Sequence, residues 1–117
     1  MAYFEDLDIW KNAKQLTLSV YRDLQMGHDY GFKDQIQRAA VSVMNNIAEG
    51  SEAGSPQMYI RFLHIARGSC AEVRNMLYLS EPLGYCTEGK TRQMIDQCRY
   101  ITASINKLIA YLDTKKQ

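Results

Sequence analysis

An up-down-up-down antiparallel four-helix bundle is the all-α fold class this sequence predicts, and three observations predict it. Glycine and proline cluster at only three places in the 117 residues, around Gly27 to Gly31, Gly50 to Pro56 and Pro82 to Gly89, which leaves four uninterrupted segments. Within each segment apolar residues return at steps of three and four, the period of an amphipathic helix, and no stretch sustains the period of two that a strand requires. The breaks are short, so consecutive helices are expected to double back and pack as antiparallel neighbours around one core, a single domain over 1–117.

The first helix, expected over about 7–25, carries its seam on Ile9, Ala13, Leu16, Val20 and Leu24, with Asp6 placed to cap the first turn. The second, about 32–49, uses Phe32, Ile36, Ala40, Val43 and Ile47, and Gly50 follows where a left-handed stop is easiest. The third, about 56–80, opens on Ser55-Pro56, a capping hydroxyl followed by proline at the first helical position, where its missing N–H costs nothing. Its seam is Tyr59, Phe62, Leu63, Ala66, Cys70, Val73 and Leu77, and Pro82 with Gly84 forbids continuation beyond Ser80. The fourth, about 88–113, follows Thr87 as cap and repeats Met94, Cys98, Ile101, Ile105, Leu108 and Leu112 over nearly three heptads.

Composition narrows the function classes. A formal charge of +1 supplies no global field for polyanions, so any nucleic-acid surface must be a local patch. No stretch reaches the roughly 20 apolar residues of a membrane span and the first residues carry no signal-peptide pattern, which points to a cytoplasmic protein with no membrane partner. Cys70, Cys86 and Cys98 are odd in number and not closely paired, so free thiols are expected rather than disulfides or zinc. His28 and His64 have no carboxylate or cysteine at ligand spacing, and the glycines of the 50–56 break lack the lysine of a phosphate loop. No catalytic residue, metal, cofactor or small-molecule substrate is expected, and the chain reads as a non-enzyme.

What remains after the seams is apolar surplus and a polar stripe. Leu18, Val41, Met44, Ile95 and Ile109 fall off the seams, as do Met58, Ile65, Met76 and Leu79 of the third helix, which have Gly68 among them. Part of this surplus widens the core; the third-helix set is the candidate interface between copies of the chain. On the second helix Arg38, Ser42, Asn45 or Asn46, and Glu49 project as one polar stripe at steps of about four. Together with Gln35 and Glu72 it has two readings: a structural motif in which Arg38 pairs with an acidic residue such as Glu72 across the hairpin while the amides satisfy backbone ends, or a ligand or nucleic-acid groove. Arg61, Arg67 and Arg74 recur along the third helix, and with Arg38 they are the candidate phosphate contacts; the competing reading is solvated partners of nearby carboxylates.

The run from Gln35 through Gly50, with Arg38-Ala39-Ala40, Ser42 and Asn46-Ile47-Ala48-Glu49-Gly50 in order, resembles the signature of the 23S rRNA intervening-sequence protein family. Phe4-Glu5-Asp6-Leu7, Trp10 and Ala13 near the start, and Phe62-Leu63, Ile65-Ala66-Arg67-Gly68-Ser69 and Ala71-Glu72 later, extend the likeness over nearly the whole chain. The resemblance implies a small bacterial four-helix bundle whose relatives include the homopentameric accessory protein of diversity-generating retroelements, a partner of a reverse transcriptase and nucleic acid. By that likeness this chain is expected to be a non-enzymatic homo-oligomer, a pentamer by preference, and an accessory factor for RNA, DNA or a nucleic-acid enzyme. The alternative is a protein-interaction scaffold with no nucleic-acid affinity, which suits the near-zero charge.

Overall fold

The structure, a computed structural model, describes residues 3–116. Four helices, α1 (Asp8–Asp23), α2 (Tyr30–Ser51), α3 (Pro56–Ser80) and α4 (Glu88–Asp113), follow a single 3-10 turn at Phe4–Asp6, and the described residues contain no strand. Each helix packs against its neighbours in the chain and α4 closes back on α1, while the backbones of the diagonal pairs, α1 with α3 and α2 with α4, stay more than 8 Å apart between Cα atoms. This is the square arrangement of a bundle 49 × 22 × 21 Å in extent. Cross-helix pairs run in opposite senses along the partners. Ser42 meets Ser69 while Gly50 meets Tyr59 and Phe62, and Arg67 meets Asn106 while Tyr78 meets Arg99. The helices are therefore antiparallel.

The core contains the residues the periodicity picks out, from Ala13, Leu16 and Val20 through Ile36, Val43 and Ile47 to Leu63, Cys70, Val73, Leu77, Met94, Ile101 and Ile105, together with Met26, Ala39 and Ile60, which the seams omit. Phe32, Tyr59, Phe62 and Leu108 lie at its edge, half-buried. Ile95 and Met76 join the core, while Leu18, Val41, Met44 and Ile109 are half-buried flank, the wider stripe a bundle helix buries. A buried hydroxyl ties the first hairpin together: Thr17 Oγ1 donates to its own helix at Ala13 O, 2.8 Å, and lies 3.2 Å from Ala40 O of α2.

Helix ends depart from the sequence reading in three places. Asp6 lies in the 3-10 turn, and Leu7, which has no capping side chain, precedes α1. Asp29 caps α2 instead, accepting from Phe32 N–H, so that helix starts two residues earlier than expected. Gly50 lies inside α2, buried against Tyr59 and Phe62 of α3; the left-handed backbone that turns the chain belongs to Gly54, φ +89°. Ser55 and Thr87 cap α3 and α4 as expected, accepting from Met58 N–H and Lys90 N–H.

At one end of the rod Tyr85 joins the loop after α1 to the loop after α3. Its carbonyl accepts from Gln25 N–H at 2.8 Å, its own N–H donates to Ser80 O at 2.7 Å, and its hydroxyl donates to Asp29 Oδ2 at 2.6 Å. Its ring stands edge-on to Phe32, with centroids 5.2 Å apart.

Candidate functional site

The outward face of α3 is the least expected surface of the bundle. Met58, Ile65, Glu72 and Leu79 are seven residues apart, two turns each, so they stack on one line along the helix. A second line of the same spacing, Arg61, Gly68 and Asn75, runs beside it. Met58, Ile65 and Leu79 are 39%, 48% and 52% exposed, and a methyl group built on Gly68 would meet nothing within 4 Å. Heptad-spaced apolar side chains beside a small residue form the seam of a helix pair, and here the subunit itself does not cover that seam. Met76, expected on this face, is 7% exposed and belongs to the core: it follows Val73 by three residues and lies beside Leu77, so it turns inward with them.

The polar stripe of α2 splits in two. Ser42 and Asn46 turn toward α3, where Ser42 Oγ lies 2.8 Å from Ser69 Oγ and Asn46 Nδ2 donates to Ser42 O at 2.8 Å and to Ser42 Oγ at 3.1 Å. These three residues satisfy one another at a half-buried helix–helix contact. Arg38 does not reach Glu72. It pairs with Asp34, one turn earlier on its own helix, at 3.2 Å, and both side chains are exposed. An adjacent carboxylate on the same face is a cheaper partner than one across the hairpin, because little chain must be ordered to reach it. Gln35, Glu49 and Glu72 are exposed. A shallow depression of about 480 Å³ over the outer face of α2 collects Asp34, Arg38, Asn45 and Glu49, with Tyr21 at its rim. With two carboxylates against one guanidinium it is not a basic site.

The arginines do not form the strip that Arg38, Arg61, Arg67 and Arg74 suggest. Arg61 is exposed on the outward face of α3, about a third of a turn from Arg67. Arg67 leans toward α4, donating to Asn106 Oδ1 at 2.7 Å and contacting His64 Nδ1 at 2.7 Å. Arg74, two turns further, is half-buried beside Cys70 and Cys98 at the seam of α3 and α4. On the opposite wall Arg99 donates to Tyr78 Oη at 3.0 Å and approaches Asp96 at 3.8 Å. The α3–α4 groove thus gathers Arg67, Arg74 and Arg99. Arg99 went unnoticed in the sequence because it flanks Cys98 in the seam of another helix, and only the rotation of α4 against α3 brings it across. Toward the Tyr85 end the groove holds Glu81, Glu88, Arg92 and Asp96, and its positive character ends there.

Nothing in these surfaces assembles acid–base or nucleophilic chemistry. Burial raises the Tyr59 hydroxyl above its usual range, and the hydrogen bond to Asp29 raises that of Tyr85. Among the described residues no three His, Cys, Asp or Glu side chains gather as metal ligands, and no helix is long and apolar enough to cross a membrane.

Comparison with known proteins agrees with this geometry. Residues 5–107 match the family model described as 23S rRNA-intervening sequence protein. A solved structure from Bacteroides thetaiotaomicron VPI-5482, described as a protein with unknown function from the S23 ribosomal protein family, superimposes with a TM-score of 0.73 at 20% identity. The match covers 86% of this chain and 97% of that one, and at such identity it establishes the common fold. No curated protein matches the chain.

Proposed function

Since the chain belongs to the 23S rRNA-intervening sequence protein family, we propose that it is a non-enzymatic module that assembles with copies of itself through the outward face of α3. The observation that carries this reading is the uncovered heptad line of Met58, Ile65 and Leu79 beside the open space at Gly68. Each of the three is already about half covered within the subunit, so completing its burial is worth roughly 1 kcal/mol, and the contact needs a matching apolar face on the next copy, with Glu72 left at its edge or paired. A closed ring of five copies is the assembly preferred from the family likeness. A single line on one helix serves a ring when it docks against a different face of the next copy.

Light scattering over a range of concentrations tests the assembly. A species near five times the 13.5 kDa chain mass is the expected result, and Ile65→Glu with Leu79→Glu should return it to the single chain with its helix content intact. A lone subunit at high concentration would overturn the proposal.

A nucleic-acid partner is the second reading, and Arg67, Arg74 and Arg99 favour it because they occupy a face other than the apolar line. Repeated around a ring, a modest groove becomes a multivalent one. Anisotropy titration against single-stranded and structured RNA at two salt concentrations separates it from a plain scaffold: polyanion binding weakens steeply with salt. Binding that is absent at low salt leaves the scaffold alone.

A further inference from the structure

Along α2 and α3 the same two charges recur at the same interval. Arg38 precedes Glu49 by eleven residues on α2, and Arg61 precedes Glu72 by eleven on α3. Eleven residues of α-helix make about three turns and roughly 16.5 Å of rise, so each pair lies close to one line on its helix. All four side chains are exposed. Among the described residues Arg61, Glu49 and Glu72 make no ion pair, and Arg38 pairs only with Asp34. The α3 pair stands on the outward face, with Ile65 and Gly68 between its ends. The α2 pair lies in the shallow depression that also holds Val41 and Asn45, with Tyr21 of α1 at the rim.

We propose, on the premise that copies meet through α3, that the surface receiving it is the α1–α2 groove of the next copy. There α3 lies antiparallel to α2, so that Arg61 meets Glu49 and Glu72 meets Arg38. An antiparallel approach puts opposite charges together at both ends; a parallel one sets Arg61 against Arg38 and Glu72 against Glu49, so the charges select the direction. The guanidinium of Arg38 has donors enough to keep Asp34 and accept Glu72 as a second partner. This alignment places the rest of the line. Gly68 falls against Val41, and the space open beside Gly68 admits that branched side chain. Ile65 settles between Val41 and Asn45, and Asn75 comes beside the Asp34 carboxylate. Leu79, 52% exposed, reaches Tyr30, 65% exposed at the start of α2. Met58 to Leu79 spans as many residues as the whole of α2, 22, so the line is covered from end to end. A two-fold pairing of α3 with α3 also joins Arg61 to Glu72, but it carries Leu79 past the first turn of its partner and sets Met58 against Asn75. That pairing is self-complementary and stops at two chains. Seating α3 on α1–α2 leaves each copy one unused face of each kind, so chains add until a ring closes.

Sedimentation velocity over a range of concentrations, with circular dichroism to confirm the helices, tests the alignment by charge reversal. Arg61→Glu should raise the concentration for half-assembly about tenfold or more, because like charges then face each other. Adding Glu49→Arg to it should restore assembly to within about threefold of the wild type. Glu72→Arg and Arg38→Glu should behave in the same way, each weakening assembly alone and the two together restoring it. Rescue of Arg61→Glu by Glu72→Arg, and not by Glu49→Arg, would overturn the proposal in favour of the two-fold α3 pair. Assembly that ignores every reversal but dissolves with Ile65→Glu and Leu79→Glu would overturn it too, and leaves α3 as the contact. A wild-type chain that stays single at high concentration overturns both the alignment and its premise.

Discussion

A methyl group added at Gly50 would sit 2.9 Å from Phe62 Cβ and 3.0 Å from Tyr59 Cδ1, both on the neighbouring helix. Alanine in place of glycine inside a helix ordinarily gains up to about 1 kcal/mol. Overpacking a rigid contact costs about 1–3 kcal/mol, so Gly50→Ala is expected to lower stability, measured as an earlier midpoint in urea. Tyr85 supplies a second test. Its hydroxyl donates to the Asp29 carboxylate, which raises its pKa above the usual 10.0. The proton on a group so shifted contributes its stability in full below the unfolded pKa of about 10, and the contribution is lost as pH rises through the higher folded value. Tyr85→Phe keeps the ring against Phe32 and removes the hydroxyl, so its stability profile should be flatter than the wild type's above pH 10 in alkaline unfolding titrations. Neither role is visible in one dimension. Gly50 at the end of an apolar run resembles a helix stop because only the partner helix reveals that its missing side chain is space already taken.

Helices themselves are written locally, and so are most of their ends. Ser55 and Thr87 each accept the N–H three residues on, a pattern that needs no tertiary information. Ser55→Ala and Thr87→Ala should each cost about 1 kcal/mol in thermal or chemical denaturation. Asp6→Ala should cost almost nothing, since Asp6 sits in the turn before α1 and caps nothing. Contacts between helices were harder to anticipate. Most of the α4 seam was legible from spacing, though Ile95 joins the core from off the seam and Leu108 stays at its edge, and the partners of Arg38, Arg67 and Ser69 depend on how far each helix is rolled about its axis. A roll of one residue, about 100°, exchanges flank for surface. That is why Arg38 ended on Asp34 rather than Glu72, and why Met76 left the outer line for the core. Ser42 and Ser69 fix the roll of α2 against α3. Removing both hydroxyls by Ser42→Ala and Ser69→Ala in a double-mutant cycle should reveal a coupling of about 1 kcal/mol.

At the scale of the molecule, the proposed self-association would be linked to stability. If copies bind only when folded, the melting temperature rises with protein concentration. The wild-type chain should show that dependence in calorimetry, and Ile65→Glu with Leu79→Glu should abolish it while leaving the dilute-solution melt nearly unchanged, because neither side chain is in the core. The fold was recoverable from the sequence because each helix carries its own apolar seam and the breaks between them are short. The outward apolar line was recoverable only in part, because apolar residues outside the seam look the same whether they widen the core or face away from it. One end of the rod differs from the other. Tyr85 stitches two loops together at its end, whereas at the opposite end the turn over Gly54 is bounded by backbone bonds within a few residues of one another. Amide protons around Gln25 and Tyr85 should therefore exchange with deuterium only when the whole domain opens, while those of Glu52 and Ala53 escape early, so that thermal fluctuation enters this rod from one tip and travels toward the other.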